Sequence, residues 1–223
     1  GGCYRDEPVG NCRHSAITVF SFHPVKIITT GEGGLATTND PQLAERMVEL
    51  RSHGIVRDVA RFEHPAAGPW VYEQQQLGFN YRMTDIQAAL GLSQLERLDQ
   101  IVAERNRLLE TYQKMLMDLP VKLMEVPKAV LSSVHLAVIR MQQPSVGKHR
   151  QLFEHLRKKG IGVQLHYSPV HLQPYYRHLG FAENQFPEAE AYATSAISLP
   201  LYPGLLEDEQ KRVVSVLRNF LLH

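Results

Sequence analysis

The chain has 223 residues, 43% of them hydrophobic and 21% charged, with a formal net charge of +1. That is ordinary globular composition, enough for one large domain or two small ones. Lys and Arg are interleaved with Asp and Glu, which leaves no sequence-wide basic field to hold nucleic acid, and no apolar run approaches the roughly 18 residues that cross a membrane. The two cysteines, Cys3 and Cys12, lie close together. A disulfide is open to them on sequence grounds, but two cysteines in such a chain are more often reduced thiols of a cytosolic protein. With no signal-peptide pattern at the start, cytoplasm is the expected location.

The chain opens GGCYRDEPVGNC, with no initiator Met and no element start, and reads as cut from something longer. SAITVFSF (residues 15–22) is β-branched and aromatic and predicts a strand, buried on both faces, that would expose one edge to aggregation. Gly31, Gly33 and Gly34 mark a turn of unusual backbone angles, followed by a short strand at 35–38. Asp40 and Pro41 start a helix as N-cap and first helical residue, which ends near Gly54. Residues 54–79 are irregular, a loop long enough to be functional or mobile. TDIQ (residues 84–87) is a capping box, and an amphipathic helix with one possible break runs from it to about Leu116.

Past Pro120 the pattern changes. SSVHLAVIRM predicts a strand, VGKHRQLFEHLRKKG a helix closed by Gly160, and IGVQLHYSPV another strand. FPEAEAYATSAISLP and LEDEQKRVVSVLRNF predict helices, the second with an acidic first turn that suits the helix dipole. The order describes a small α/β unit, with a domain boundary near residue 120.

Three stretches carry candidate chemistry. Lys26 lies between Ser21 and His23 on one side and the Gly turn on the other. It is not a P-loop lysine, because there the glycines precede the Lys and a Ser or Thr follows it. An exposed lysine at a strand end remains open; the functional reading is an imine-forming amine that holds a carbonyl cofactor or substrate, with the Ser21 hydroxyl binding an anionic group of the same ligand. Asn80, Tyr81 and Arg82 precede a helix N-terminus, where an anion site is plausible and solvated turn residues equally so. His166 and Tyr167 end a strand. His166 and His171 do not form a metal pair, since Pro169 intervenes and no helix fixes their spacing; polar recognition of a ligand from a loop fits better.

Together SFHPVKIITTGEGGLATTND, RSHG, LGFNYRMTDIQAALGLSQLERLD, GVQLHYSPVHLQPYY and ISLPLYPGL, in this order over essentially the whole chain, resemble the sugar-nucleotide aminotransferases of the DegT/DnrJ/EryC1/StrS family. The resemblance implies an α/β fold, the C-terminal part of the aspartate-aminotransferase-like (fold type I) arrangement. Residues 1–119 would be part of the large cofactor domain with a long linking helix, and 120–223 the small C-terminal domain. It implies pyridoxal 5'-phosphate, with Lys26 as the imine lysine, Ser21 on the cofactor phosphate, and Asn80 reaching the phosphate of the neighbouring subunit's cofactor in a homodimer. Gln164, Leu165, His166 and Tyr167 match a stretch contacting the sugar nucleotide, with His23 and Arg82 beside these positions. No metal, nucleic acid or membrane is implied. Some relatives carry His in place of the lysine and dehydrate instead; Lys26 favours transamination.

Within the family the lysine segment and QLHYSPVHLQPYY look most like members acting in pseudaminic-acid synthesis, a route to surface polysaccharide. They would move an amino group from glutamate to C4 of a UDP-linked 4-keto-6-deoxy-N-acetyl-hexosamine. An aminotransferase acting on a dTDP-linked keto sugar and a non-catalytic truncated product are the alternatives. In the family an Asp pairing with the pyridine nitrogen lies just before the position of GGCY. The chain taken alone is therefore expected to be inactive or badly impaired. Pyridoxal phosphate added to it should give no yellow imine absorbance, and a stable band abolished by Lys26→Ala would refute that.

Overall fold

The computed structural model describes residues 1–222, apart from the Val146 side chain. The chain forms two compact units, Gly1–Leu98 and Asp99 onward.

The first unit begins with a hairpin of β1 (Cys3–Tyr4) and β2 (Glu7–Pro8). Both residues of its turn, Arg5 and Asp6, sit at positive φ, 50° and 62°, the handedness that matches a twisted two-residue hairpin. Next, β3 (Thr18–Ser21) pairs antiparallel with β4 (Gly34–Thr37), Thr18 opposite Thr37 and Ser21 opposite Gly34. The strand was expected to be buried on both faces. It alternates instead, with Thr18 and Phe20 half-buried and Val19 75% exposed, because β4 covers an edge and not a face.

The helix α1 (Pro41–Arg51) starts as the sequence predicts: one Asp40 carboxylate oxygen accepts from the N–H groups of Gln42 and Leu43 at 2.8 and 3.2 Å. The irregular stretch after it contains only the short antiparallel pair β5 (Ile55–Val56) and β6 (Glu73–Gln74) and a single helical turn at Val59–Arg61. Side chains rather than ladders organise it. Arg61 pairs with Glu49 of α1 at 2.6 Å. Glu73 accepts the Glu63 and His64 N–H groups at 2.8 and 3.0 Å. The Gln75 amide and those N–H groups hold the Glu73 carboxyl below the usual carboxylate range. α2 (Asp85–Leu95) opens with the predicted capping box, Thr84 Oγ1 accepting from Gln87 N–H and the Gln87 side chain accepting from Thr84 N–H. Among the described residues of this unit only Thr30, Gly54 and Val56 are buried.

The second unit holds the core. The helix expected from residue 84 to about Leu116 is broken after Leu95; α3 (Leu98–Met115) follows and buries Val102, Arg105, Leu108, Leu109 and Tyr112 along one face, the spacing of a helical stripe. β7 (Val121–Leu123), the short β8 (Val130–Leu131) and β9 (Ala137–Met141) follow, then α4 (Val146–Lys158), α5 (Pro174–His178), α6 (Pro187–Ala193), β10 (Ala196–Leu199) and α7 (Glu207–Leu221). β9 is central in a three-stranded antiparallel sheet, β10-β9-β7. Leu152 and Leu156 of α4 and Val213, Val214 and Leu217 of α7 join it in one apolar cluster with α3.

Two expectations fail here. IGVQLHYSPV is not a strand. Ile161 and Val163 are buried with the alternation of one, but the backbone of the segment pairs with β10 at the Gln164–Ser198 bridge alone, and Pro169 has no N–H to extend a ladder. FPEAEAYATSAISLP is not one helix. It stops at Ala193, where the Ser195 and Thr194 hydroxyls bond back to the Ala191 carbonyl at 2.7 and 3.2 Å and compete with continued helix. Ala196–Leu199 then enter the sheet, all four residues buried. The predicted strand over 132–141 likewise begins late, at Ala137, because Val134 takes φ 48° and breaks the extended run before it.

Burial sets the cost of truncation. Leu217→Ala, at a fully buried position, is expected to destabilise the chain by about 2–5 kcal/mol, whereas Leu77→Ala, 89% exposed, should stay within about 0.5 kcal/mol. Urea denaturation followed by fluorescence and far-UV circular dichroism compares the two.

Candidate active site

After Ser21 the chain leaves the β3 ladder and closes a loop on itself. The Phe22 N–H donates to Gly33 O at 2.9 Å, and the Phe22 carbonyl accepts from the Thr30 N–H at 3.0 Å and the Thr29 hydroxyl at 2.9 Å. Residues between these closures project as a tight turn through Pro24, in which the Lys26 N–H donates to His23 O at 2.9 Å. Thr29 N–H donates to the Gln94 side chain at 3.1 Å, and the Gln87 amide donates to Glu32 O at 3.0 Å. Both glutamines belong to α2, which therefore braces the loop. Only Gly31 of the expected glycines has an unusual φ, 81°. Gly33 and Gly34 are small for a different reason. A Cβ at Gly33 would lie 2.2 Å from Thr30 Oγ1 and 2.8 Å from Met83 Cε, and one at Gly34 would lie 2.9 Å from Phe20 O.

On this loop Lys26 is half-buried, and its ammonium makes no hydrogen bond or ion pair among the described residues. An amine not committed to a carboxylate is available to condense with a carbonyl. Ser21 and His23 are exposed beside it; the Ser21 hydroxyl accepts from the His23 N–H at 3.5 Å, and His23 Nε2 lies 3.8 Å from Glu32 Oε1. These residues fit an imine-held, phosphate-bearing cofactor: an amine with no partner among the described residues on a short loop, an exposed hydroxyl at the strand end before it, and two glycines that let the loop pack closely.

Asn80 and Arg82 are exposed in the stretch leading to α2. Backbone pairing fixes it to the end of α1: Phe79 N–H to Leu50 O at 2.7 Å, Tyr81 N–H to Arg51 O at 2.9 Å, and His53 N–H to Phe79 O at 2.8 Å. The approach requires two glycines. A Cβ on Gly78 would lie 2.3 Å from the Gly54 nitrogen, and one on Gly54, itself at φ 70°, would lie 1.9 Å from Gln76 O. The Phe79 and Tyr81 rings stack at 4.7 Å on either side of Asn80 in the sequence. The first unit thus joins the Lys26 loop and the Asn80–Arg82 stretch through α2, with Met83 packed at Gly33.

Gln164, Leu165, His166 and Tyr167 lie in the second unit. Gln164 and Ser198 exchange both backbone hydrogen bonds, at 2.8 and 3.3 Å. His166 Nδ1 lies 2.8 Å from the Ser198 hydroxyl, and its ring meets Tyr167 edge-on at 4.8 Å. Tyr167 is 70% exposed. His171 is tied elsewhere, its Nε2 3.0 Å from Glu190 Oε1, and that carboxylate oxygen also accepts the Asn184 N–H at 2.8 Å. Among the described residues no group of three His, Cys, Asp or Glu side chains converges as a metal site. Glu190 lies in none of the stretches that carried the resemblance; Ser198 lies in one, ISLPLYPGL, but no role was read for it.

The sequence pattern of the DegT/DnrJ/EryC1/StrS aminotransferase family matches residues 1–218. The chain belongs to this family. The spore coat polysaccharide biosynthesis protein SpsC of Bacillus subtilis is 33% identical over 98% of the chain and 56% of its own length. Among solved structures, the putative sugar aminotransferase Spr1654 of Streptococcus pneumoniae in its PMP form superposes with a TM-score of 0.91 at 29% identity, covering 100% of this chain and 56% of that one. Spr1654 is also solved with PLP. Helicobacter pylori PseC, an aminotransferase involved in the biosynthesis of pseudoaminic acid, superposes with a TM-score of 0.88 at 31% identity over 100% of this chain and 57% of that one. The chain shares the fold type I architecture of these PLP-dependent sugar aminotransferases and spans a little over half their length.

The His171–Glu190 contact gives a pH test. Bonds from the Asn184 N–H and from His171 hold the Glu190 carboxyl below the usual carboxylate range. A depressed folded-state value stabilises fully above the ordinary pKa of about 4.3 and loses that stabilisation as pH falls below it through the folded value. Thermal unfolding scanned downward through that window should lose more stability in the unmodified chain than in Glu190→Gln; identical slopes would refute the assignment.

Proposed function

We propose that the protein carrying this chain is a PLP-dependent aminotransferase. It moves an amino group from glutamate to C4 of a UDP-linked 4-keto-6-deoxy-N-acetyl-hexosamine, in the cytoplasm, as a homodimer with shared active sites. The observation that carries the reading is Lys26, an uncommitted amine on a loop braced by α2, in a chain that belongs to an aminotransferase family. The role of PseC in pseudoaminic-acid biosynthesis, together with the resemblance carried by QLHYSPVHLQPYY, supports the substrate class.

Pyridoxal phosphate, when bound, supplies the electron sink for breaking and making bonds at the amino-bearing carbon. The Lys26 amine would hold the cofactor, and its Nζ would be the group that takes up and returns the proton of the donor carbon. The Ser21 hydroxyl donates to the phosphate and keeps the cofactor in place while Lys26 is detached. The Asn80 side chain reaches the phosphate of the neighbouring subunit's cofactor. Gln164, Leu165, His166 and Tyr167 bind and orient the sugar nucleotide, with His23 and Arg82 beside them as anion-facing groups.

In the full-length protein, Lys26→Ala is expected to lower amino transfer by at least roughly 10²–10⁴-fold, the scale of losing a positioned acid–base group, and to abolish borohydride-trapped pyridoxyl label on this peptide. Glutamate with a panel of keto sugars should show turnover of the UDP-linked substrate. Turnover of dTDP sugars alone would overturn the substrate assignment.

A further inference from the structure

Ser198 occupies an unusual place for a hydroxyl. It is 5% exposed in a strand whose four residues are all buried. Within β10 it pairs with Val138 of β9, and on its other side it exchanges backbone bonds with Gln164. Its side chain also turns to that second side, 2.8 Å from His166 Nδ1. One residue of the sheet edge therefore grips the Gln164–Tyr167 segment twice, once through the backbone and once through an imidazole nitrogen.

We propose that Ser198 is a positioning residue for ligand recognition, acting through His166. A buried hydroxyl needs an acceptor for its hydrogen, and leaving that donor unpaired costs more than leaving a lone pair unused. The partner the structure gives the Ser198 oxygen is Nδ1. With the hydroxyl donating, Nδ1 is the acceptor and the ring proton lies on Nε2. The backbone bridge fixes where the ring starts, the hydroxyl fixes its rotation, and the edge-on Tyr167 ring packs against it. Whenever the ring carries a single proton, that proton is thereby held on Nε2. The role for a sugar nucleotide rests on the function proposed above; the tautomer does not.

The test is side-chain nitrogen and carbon NMR of His166 in the labelled chain, at a pH well above the ordinary histidine pKa of about 6.5. The expected result is a single Nε2–H tautomer in the unmodified chain, a mixture of tautomers in Ser198→Ala, and recovery of the single form in Ser198→Thr, which keeps the hydroxyl. An Nδ1–H form or a mixture in the unmodified chain overturns the proposal without any variant, and so does an unchanged tautomer in a folded Ser198→Ala. Addition of UDP separates the two readings. Movement of the His166 signals supports both. A fixed Nε2–H tautomer that UDP leaves unmoved sinks the segment's role in nucleotide binding while the action of Ser198 on the ring stands.

Discussion

The second unit rests on the pairing of Ala196–Leu199 with Ala137–Met141. All of β10 and most of β9 are buried, so each N–H and C=O there must find a partner inside the protein. The ladder supplies those partners on one side of β10, and the Gln164 bridge supplies them on the other. Around this pair, the apolar stripes of α3, α4 and α7 find a surface that none could make alone. Polar side chains finish the job where the ladder ends: Tyr112 donates to the Pro200 carbonyl at 3.0 Å, and the buried Arg105 guanidinium donates to Leu201 O at 3.1 Å and to Val134 O and His135 O at 3.3 Å. Arg105 has three carbonyls where a carboxylate would be expected, and burial lowers its pKa. Burial likewise pushes the Tyr112 hydroxyl well up.

The first unit is built on a different physical basis. Its shape comes from backbone segments brought too close for side chains, at Gly33, Gly34, Gly54 and Gly78, and from single polar bonds out of α2. Few of its residues are buried, and Val19, Leu77 and Ile86 stand 75–89% exposed. Closing the loop at Phe22 and Thr30 leaves Lys26 on the projecting turn, with its amine uncommitted among the described residues. Ser21 stays at the strand end, opposite Gly34.

What could be read in advance was local. Asp40 before Pro41 and Thr84 with Gln87 mark helix starts because capping involves groups two or three residues apart. That the long helix could break once was legible; that it breaks just before Leu98 was not. The ordered motifs were enough to name the family, since Lys26 and NYRMTDIQAAL together are more specific than either alone. IGVQLHYSPV and AISL were misread because their alternation or helical spacing describes which side is buried, not what lies across the ladder. Ile161 and Val163 are buried without being a strand, and Ala196–Leu199 form a strand inside what spacing reads as helix.

The sequence by itself determined the caps, the glycine positions, the lysine and its neighbours, and family membership, because each depends on residue type and short spacing. Only the tertiary structure decided that Gly33 and Gly34 serve close packing rather than turn angles, that His171 belongs to Glu190 and His166 to Ser198, and that β10 closes the sheet. Those outcomes depend on partners 19 and 32 residues away along the chain for the two histidines, and on burial that pairing alone makes affordable. No local pattern encodes such distances, because hydrogen-bond partners in a folded chain are chosen by where the core excludes water.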